Sequence, residues 1–416
     1  MKVNHKTFSG GFRFKTFEGS PSEKLLHFEA TSKNTNANVD LKGSYLEEIL
    51  YNCGITNVGG IPTNKSDLKI KSKEATDVII NAVEADIFNL SVSVLIEGQQ
   101  MDCFLKGLEA LSKYMPKANF IVAIGEDKDE IITRLMDSIK TLEWIKVVTV
   151  APKYPINLEE LLVPTIINKA YPIGYSSLDI GAVVIDVQDV MHIYDAAINL
   201  KSLEYRTVVL AGSAWKENCH LKVAVGTKLT DIIKKYAKQD VKYRFVINSL
   251  MTNEVVNPDE LVIEKTTSCL IAIPEGNTRK WLSFMRNGIK NDSYSNAYAS
   301  ALVPKGIRYC ETNIHGEHRP CISCGYCIDV CPKGLIPHLL HRHVDKNIIN
   351  ERVAELGIFD CIGCNLCNYV CTSKINISSS IKEGKHKLEQ QEISHEKYML
   401  SKCDLIHEVE VKRDER

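Results

Sequence analysis

Residues 321–331 read CISCGYCIDVC, and residues 361–371 read CIGCNLCNYVC. Each stretch contains three cysteines separated by two residues, followed by a fourth cysteine after three residues. Together the two stretches hold most of the fourteen cysteines in the chain. Pro332 follows the first stretch, whereas Thr372 follows the second. The repeated spacing indicates two metal-binding loops of one kind within a small module.

The spacing of both stretches is that of the bacterial ferredoxin run, which binds [4Fe–4S] clusters. In that run three cysteines bind one cluster and the fourth binds the other. The sequence therefore predicts that cluster 1 is held by Cys321, Cys324, Cys327 and Cys371. Cluster 2 is predicted to be held by Cys331, Cys361, Cys364 and Cys367. Zinc is the alternative, but a zinc site uses two pairs of ligands and leaves the third and fourth cysteines of each run unexplained.

The two loops are predicted to turn at equivalent positions, Gly325 and Asn365. Glycine adopts a positive φ without strain, and asparagine tolerates it next best. The segment between the motifs is predicted to be helical, which gives a compact helical dicluster module. The other cysteines are expected to be core or spare thiols: Cys53, Cys103, Cys219, Cys269, Cys310 and Cys403. The nearby histidines are expected to lie at the surface or beside the ligands rather than bind iron: His315, His318, His338, His341 and His343.

The size and charge of the chain limit its function. Its 416 residues are enough for two or three domains with their own cores. A formal net charge of −1 gives no positive field to attract nucleic acid, so no nucleic-acid partner is expected. The first residues lack the apolar region of a secretory signal, and no apolar run approaches the length of a transmembrane helix. We therefore expect a cytoplasmic protein, in which clustered cysteines bind metal rather than form disulfides.

Strands and helices alternate between residues 46 and 205. Amphipathic helical stretches separate strand-length apolar runs at 77–83, 119–125, 144–150 and 180–187. In one helix the apolar face is predicted to consist of Ile131, Ile132, Leu135, Met136 and Ile139. The alternation predicts a Rossmann-like α/β domain with a parallel sheet.

Short strands dominate residues 206–275, with one helix predicted at 228–237 and Thr227 as its N-cap. Strands that wrap one helix predict a β-grasp-like (SLBB-type) domain. The predicted organisation is a short N-terminal segment, the Rossmann-like domain, the β-grasp-like domain, a connector, the module with two [4Fe–4S] clusters and a charged tail, at 1–45, 46–205, 206–275, 276–310, 311–380 and 381–416.

The order of these parts resembles a family that contains the C subunit of the Rnf complex and the A subunit of Nqr, the sodium-pumping NADH:quinone oxidoreductase. The segments similar to the Rnf subunit include APKYPINLEELLVPTIINKAYPIG (151–174), DIGAVVIDVQDVMHIYDAA (179–197), VAVGTKLTDII (223–233) and IFDCIGCNLCNYVC (358–371). The segments IINAVEAD (79–86) and IHGEHRP (314–320) are more similar to the Nqr subunit. By this resemblance, residues 1–45 are a degenerate remnant of the family's lipoyl-like barrel.

The resemblance implies an iron–sulfur electron-transfer subunit of a membrane-associated oxidoreductase complex, bound peripherally to the inner face of the cell membrane. It implies integral-membrane partner subunits, and NADH, ferredoxin or quinone as electron donor or acceptor. No residue is given a catalytic role. The alternative is an FMN-dependent NADH dehydrogenase, similar to cobalamin reductase, that passes electrons through both clusters. A ligand-binding module with purely structural clusters is disfavoured, because two clusters are more than that role needs.

Flavin-bearing members of the family carry a glycine-rich phosphate loop and a downstream acidic segment beside the flavin. The loop of this chain, NVGGIPTNK (57–65), is two residues shorter and lacks two of the glycines. The candidate FMN or NADH contacts that the resemblance implies are Gly59, Gly60, Thr63, Lys65, Asn81 and Glu84. Because the missing glycines would supply backbone freedom for a phosphate cradle, a structural turn explains the loop equally well, and an FMN site is the less favoured expectation.

Overall fold

The computed structural model of the chain describes residues 21–28, 46–55, 75–169, 175–239, 243–252, 255–274 and 320–393. The predicted connector at 276–310 lies outside these ranges, as do the four loop residues of the candidate flavin site, Gly59, Gly60, Thr63 and Lys65. Cys310, Cys403, His315 and His318 also lie outside them. Within the described ranges, no helix is both long and apolar enough to cross a bilayer.

The first domain is built on a four-stranded sheet. A short strand, β1 (Leu25–His27), precedes it. Its own elements are α1 (Leu46–Asn52), β2 (Asp77–Ala82), α2 (Val92–Leu95), α3 (Gln100–Tyr114), β3 (Asn119–Gly125), α4 (Asp129–Ser138), β4 (Ile145–Val150), α5 (Glu159–Ile167), β5 (Ala182–Asp186) and α6 (Val187–Asn199). The strand order is β4-β3-β2-β5, and every neighbouring pair is parallel. The predicted Rossmann-like parallel sheet is confirmed.

Strand order reverses beside β2, because the chain builds β3 and β4 on one side and then returns with β5 on the other. Clefts at the carboxyl ends of strands flanking such a reversal are the usual ligand sites of open α/β sheets. The residues that end these two strands, Ala82 and Asp186, therefore mark where a ligand site is expected.

Helices cover this sheet because its strands are apolar on both faces. Helices α3 and α6 approach closely at Gly107, where a Cβ atom would lie 2.6 Å from the carbonyl oxygen of Val190. Along α4 and its C-cap, Leu135 and Ile139 are buried, whereas Met136 is half exposed. The predicted apolar face is wrong at Met136, because that residue lies about 100° around the helix from Leu135.

The second domain is a mixed sheet packed on one helix. Its elements are β6 (Tyr205–Ala211), β7 (Cys219–Ala224), α7 (Leu229–Tyr236), β8 (Tyr243–Ile247), β9 (Val255–Val256) and β10 (Cys269–Pro274). The strand order is β1-β7-β6-β10-β8-β9, with β10 parallel to β6 and antiparallel to β8. The buried side of α7 packs into the core of this sheet. The β-grasp-like prediction is confirmed.

Two details of this domain differ from expectation. Strand β1 pairs in parallel with β7, so part of the predicted N-terminal segment completes the second sheet. Helix α7 begins at Leu229 with Lys228 as its N-cap, so Thr227 is not the cap. The Thr227 hydroxyl instead donates to the Ala224 carbonyl at 2.7 Å, which satisfies it inside the preceding turn.

The cysteine-rich module is helical. Its elements are α8 (Tyr326–Asp329), α9 (Pro337–Asp345), α10 (Glu351–Glu355), α11 (Leu366–Tyr369) and α12 (Ile377–Gln390). Helices α8 and α11 each follow a cysteine loop directly. The residues before them, Gly325 and Asn365, have φ values of 86° and 59°. Both predicted turns are confirmed.

Helix α12 runs across residue 380, where the sequence placed the start of a surface tail. Ile381 and Leu388 of this helix are buried in the core of the module, together with Val344 of α9. At Gly384, an added Cβ atom would lie 2.6 Å from the Val344 side chain, so the two helices are in close contact. Residues 381–390, predicted as the start of the charged tail, therefore belong to the module.

Candidate metal centres

The structure brings the four predicted ligands of cluster 1 together. Cys321 and Cys324 lie on the first loop, Cys327 lies in α8, and Cys371 lies just after α11. The pKa of the Cys327 thiol is raised, first by burial and then by the negative charges of Cys324, Cys371 and Cys321. The Cys371 thiol likewise has a pKa raised by burial and then by Cys324 and Cys321. Cys371, the fourth cysteine of the second stretch, therefore lies beside the first three cysteines of the first stretch.

The four predicted ligands of cluster 2 line one small cavity of about 20 Å³. They are Cys331, Cys361, Cys364 and Cys367. The other walls are mostly apolar side chains: Pro332, Leu335, Pro337, Ile362, Leu366 and Ile381. Burial is the main reason that the pKa of the Cys364 thiol is raised to about 12. Because iron binds the thiolate, cluster assembly here must release protons.

The two sets of thiols adjoin each other. The pKa of Cys367 is raised by burial and by its own set, and also by Cys327 of the other set. The described cysteines, including all eight predicted ligands, are free thiols rather than disulfides. Within the described residues no three His, Cys, Asp or Glu side chains converge on a position for one metal ion. A [4Fe–4S] cluster binds its thiolates at separate irons, so its ligands surround a volume rather than a point.

Backbone amides point at the cysteine sulfurs of two predicted cluster 1 ligands. The amide of Ser323 lies 3.4 Å from the Cys321 sulfur, and the amide of Ile375 lies 3.4 Å from the Cys371 sulfur. Backbone N–H groups of this kind stabilise the negative charge of an iron–sulfur centre. The sets of four thiols and their amide neighbours therefore fit the two predicted clusters.

The second loop is also the contact between the module and both other domains. Leu366 is fully buried and packs with Tyr154, which follows β4, and with Met251, which follows β8. The Tyr154 hydroxyl donates to the Cys364 carbonyl at 2.9 Å. The Asn365 amide nitrogen donates to the Met251 carbonyl. This contact places the second loop, which carries three predicted ligands of cluster 2, against the body of the protein.

A larger cavity, of about 240 Å³, lies at the carboxyl ends of β2 and β5. Its walls come from both sheets and include Asn81, Glu84, Asp86, Phe88, Asn157, Asp186, Gln188, Arg206, Asn248, Ser249 and Ser268. The structure therefore places the two described candidates for flavin contact, Asn81 and Glu84, in one cavity at the expected reversal of strand order. Asn157 lies three residues after Tyr154, so the same segment joins this cavity to the second cysteine loop.

The charged side chains that line this cavity are mostly acidic: Glu84, Asp86 and Asp186, against one cation, Arg206. The Glu84 carboxylate accepts from the Val92 amide at 2.8 Å and forms an ion pair with Lys128 at 2.8 Å. Burial raises the pKa of Asp86 to about 6, against hydrogen bonds from Ser249 and the Ile87 amide that lower it. These carboxylates suit donors such as hydroxyl or ring N–H groups more than they suit a phosphate.

Asp186 adds a further carboxyl group at the end of β5. Its pKa is raised to about 6 by burial, then by the neighbouring charge of Asp189, and Arg206 lowers it. Arg206 is the one lysine or arginine among the described residues that line the cavity. Its guanidinium is already paired with Asp189 at 3.1 Å and donates to the Thr267 carbonyl at 2.9 Å. This part of the cavity therefore has no uncommitted cation for a phosphate.

Several residues of this region were not identified from the sequence. Asp186 and Arg206 come from different domains, and Tyr154 and Met251 meet the second loop from separate strand ends. The YP pair at 154–155, within a segment quoted for the resemblance, was the one available signal. A pattern of neighbouring residues in the sequence cannot predict a contact between residues 210 positions apart, such as Tyr154 and Cys364.

Two protein families match this chain, one over the first domain and one over the cysteine-rich module. Residues 320–376 match the 4Fe-4S dicluster domain family, and residues 50–195 match the Nuo51 FMN-binding domain family. The module is thus a 4Fe-4S dicluster domain, which holds two [4Fe–4S] clusters.

Curated relatives are ion-translocating oxidoreductase complex C subunits. That of Buchnera aphidicola subsp. Acyrthosiphon pisum is 24% identical over 86% of this chain and 68% of that protein. The subunit of Yersinia enterocolitica is 24% identical over 76% of this chain and 40% of that protein. The subunit of Vibrio cholerae is 25% identical over 76% of this chain and 36% of that protein.

This chain is similar to these C subunits over most of its length. The resemblance to the Rnf C subunit is thereby confirmed, whereas the Nqr and SLBB features stay predictions. The chain spans about two thirds of the first of these relatives and well under half of the other two.

Two solved structures of an NAD+-reducing [NiFe]-hydrogenase are also similar. The air-oxidized form covers 58% of this chain and 47% of that chain, with 11% identity and a TM-score of 0.43. The H2-reduced form covers 83% of this chain and 60% of that chain, with 11% identity and a TM-score of 0.48.

Proposed function

We propose that this chain is the iron–sulfur relay subunit of an Rnf-type ion-translocating oxidoreductase complex, passing single electrons between a soluble donor and membrane partners. The observation that carries the proposal is the pair of adjoining thiol sets, one of which is fixed against the body of the protein. The similarity to C subunits of ion-translocating complexes supports the assignment to such a complex.

The proposed ligands are those of the ferredoxin pattern. Cluster 1 takes Cys321, Cys324, Cys327 and Cys371, and cluster 2 takes Cys331, Cys361, Cys364 and Cys367. Support for the second set comes from the cavity that these four residues share. Support for the first set comes from the mutual proximity of its thiols.

The proposed electron path runs from the large cavity through cluster 2 to cluster 1. The loop of cluster 2 contacts Tyr154, and Asn157 of the same segment lines the cavity. The first loop instead exposes Cys324 and Ile322. An electron that enters at the cavity therefore meets cluster 2 first, and cluster 1 faces a partner.

Integral-membrane subunits are the proposed partners, and the proposed location is peripheral, on the inner face of the cell membrane. NADH, ferredoxin or quinone is the proposed class of donor or acceptor. Neither the donor side nor the membrane side depends on a spanning helix in this chain, because a relay subunit can dock on subunits that span.

A second candidate is an FMN-dependent NADH dehydrogenase. The match of residues 50–195 to the Nuo51 FMN-binding domain favours it, and so does the cavity that contains Asn81 and Glu84. Bound FMN would convert a two-electron donor into single electrons. The acidic walls near Asp86 and Asp186 oppose a phosphate in the described part of the cavity, so the ring and hydroxyl groups of a flavin fit it better than its phosphate.

The test is purification of the tagged full chain from washed membranes without oxygen. We expect integral-membrane subunits to co-purify, with about eight irons per chain and two [4Fe–4S] signals by electron paramagnetic resonance (EPR). About four irons, or bound zinc in place of iron, would contradict the relay proposal. Heat-released FMN in a one-to-one ratio, together with bleaching of the flavin by NADH, would favour the second candidate instead.

A further inference from the structure

We propose that Thr372 and His338 raise the reduction potential of cluster 1, which makes it the electron-accepting outer centre of the pair. This inference rests on the proposed ligand sets. It concerns two side chains outside both cysteine patterns. Each of them contacts the sulfur of one cluster 1 ligand.

Thr372 stands where the first motif has Pro332. Its hydroxyl oxygen lies 3.9 Å from the sulfur of Cys324. Proline has no hydroxyl and no N–H group, so the usual residue of the ferredoxin run could not make this contact. The departure of the second motif from the pattern therefore supplies the first cluster with a polar neighbour.

His338 approaches the same centre from helix α9. Its Nδ1 atom lies 3.7 Å from the sulfur of Cys327, which is itself buried. With the two backbone amides at Cys321 and Cys371, each of the four cluster 1 sulfurs has a polar neighbour within hydrogen-bonding reach.

The chemistry of a cluster ligand fixes the direction of these contacts. A cysteine sulfur bound to iron has no proton, so it can only accept a hydrogen bond. A hydrogen bond to such a sulfur therefore requires the Thr372 hydroxyl as donor, and for His338 the tautomer that carries its proton on Nδ1. Such donors stabilise negative charge on sulfur, and reduction adds negative charge to the cluster, so they favour the reduced form.

Cluster 2 also has backbone donors, since the amides of Gly363 and Leu366 approach the sulfurs of Cys361 and Cys364, but at a third ligand the arrangement is the opposite. The Oδ1 atom of Asn368 lies 3.8 Å from the Cys367 sulfur. The amide is held in that orientation, because Oδ1 accepts from the Ser378 amide while Nδ2 donates to Asn365 and Asn376. An oxygen at this position cannot donate to the sulfur and disfavours added negative charge.

The positive charge of Lys385 lies near Cys361 and favours the reduced form of cluster 2. Its ammonium, however, donates to the carbonyls of Phe359 and Cys361 at 3.1 and 2.8 Å rather than to a sulfur. The walls of the cluster 2 cavity, which are mostly apolar although they include Lys333, further disfavour the more charged reduced form.

The experiment is an EPR-monitored redox titration of the full chain, reconstituted without oxygen and held at one pH. Thr372→Val and His338→Phe are each expected to disfavour the reduced form of cluster 1 about tenfold, which is about 59 mV for a one-electron couple. Thr372→Ser retains the hydroxyl and should keep the original potential. Ser380→Ala removes a hydroxyl that contacts His341 instead of a cysteine, and it should move neither potential.

Cys324→Ala, which removes a cluster 1 ligand, assigns the signals. Thr372→Pro installs the residue of the usual ferredoxin run and should lower the same potential as Thr372→Val. Unchanged potentials, or equal shifts of both clusters, would overturn the inference. Failure of the unmodified chain to hold two clusters would instead overturn the proposed function.

Discussion

The two cysteine loops share one spacing but differ in their surroundings. At equivalent positions, the first loop has Ile322 and Tyr326, which are 68% and 53% exposed. The second has Ile362, which packs on the first domain, and Leu366, which is fully buried. The cysteine pattern therefore specifies a pair of centres, whereas the apolar residues between the cysteines determine which centre is internal.

Loss of a ligand should have the largest effect. Cys364→Ala is expected to remove cluster 2, and Cys324→Ala to remove cluster 1, so that the iron content of each falls from about eight to about four per chain. Iron and sulfide analysis with EPR measures the loss. Because cluster 2 lies at the contact with the body, Cys364→Ala should also lower the thermal midpoint more than Cys324→Ala does.

Cys103→Ala is the control for these variants, since Cys103 is a half-buried thiol of α3, outside the module. It should keep the full iron content. Loss of both clusters to the same extent in Cys324→Ala and Cys364→Ala would show that the two centres are not separate.

Truncation of the apolar residue between the cysteines should have the next largest effect. Leu366→Ala is expected to destabilise the chain by about 2–5 kcal/mol, because it leaves a cavity among Leu366, Tyr154 and Met251. Tyr326→Ala is the matched change in the first loop and should alter stability by less than about 0.5 kcal/mol. Denaturant unfolding of both variants measures the difference. Equal losses would mean that the second loop does not dock on the body.

Exchange of the turn residues should have the smallest effect. Gly325→Asn is expected to be nearly neutral, because asparagine tolerates the positive φ of that position. Asn365→Gly keeps the turn but removes the amide that donates to the Met251 carbonyl, so it should destabilise by about 1 kcal/mol.

Unfolding midpoints of these two variants, compared with the unmodified chain, check the prediction. A larger loss for Gly325→Asn than for Asn365→Gly would contradict it, because backbone conformation would then outweigh the contact with Met251.

Much of the fold could be predicted because its signals are local. Apolar runs of strand length between amphipathic helices give the parallel sheet, and the turn residues Gly325 and Asn365 follow from the positive φ that each loop needs. The errors have local causes as well. The Thr227 hydroxyl donates to the Ala224 carbonyl in the preceding turn instead of capping the helix. The many charged residues of α12 made it read as a surface tail, although Ile381 and Leu388 pack in the core of the module.

The number and kind of the metal centres follow from the sequence alone, because the spacing of cysteines along one loop restricts which irons they can reach. The sequence also indicated the order of the domains, because hydrophobic periodicity is a property of neighbouring residues. The packing of the second loop against Tyr154 and Met251, and the contact of Thr372 with the proposed cluster 1 ligand Cys324, are visible only in the folded chain. Such contacts join residues distant in the chain, and they depend on how complete surfaces pack, which no local pattern encodes.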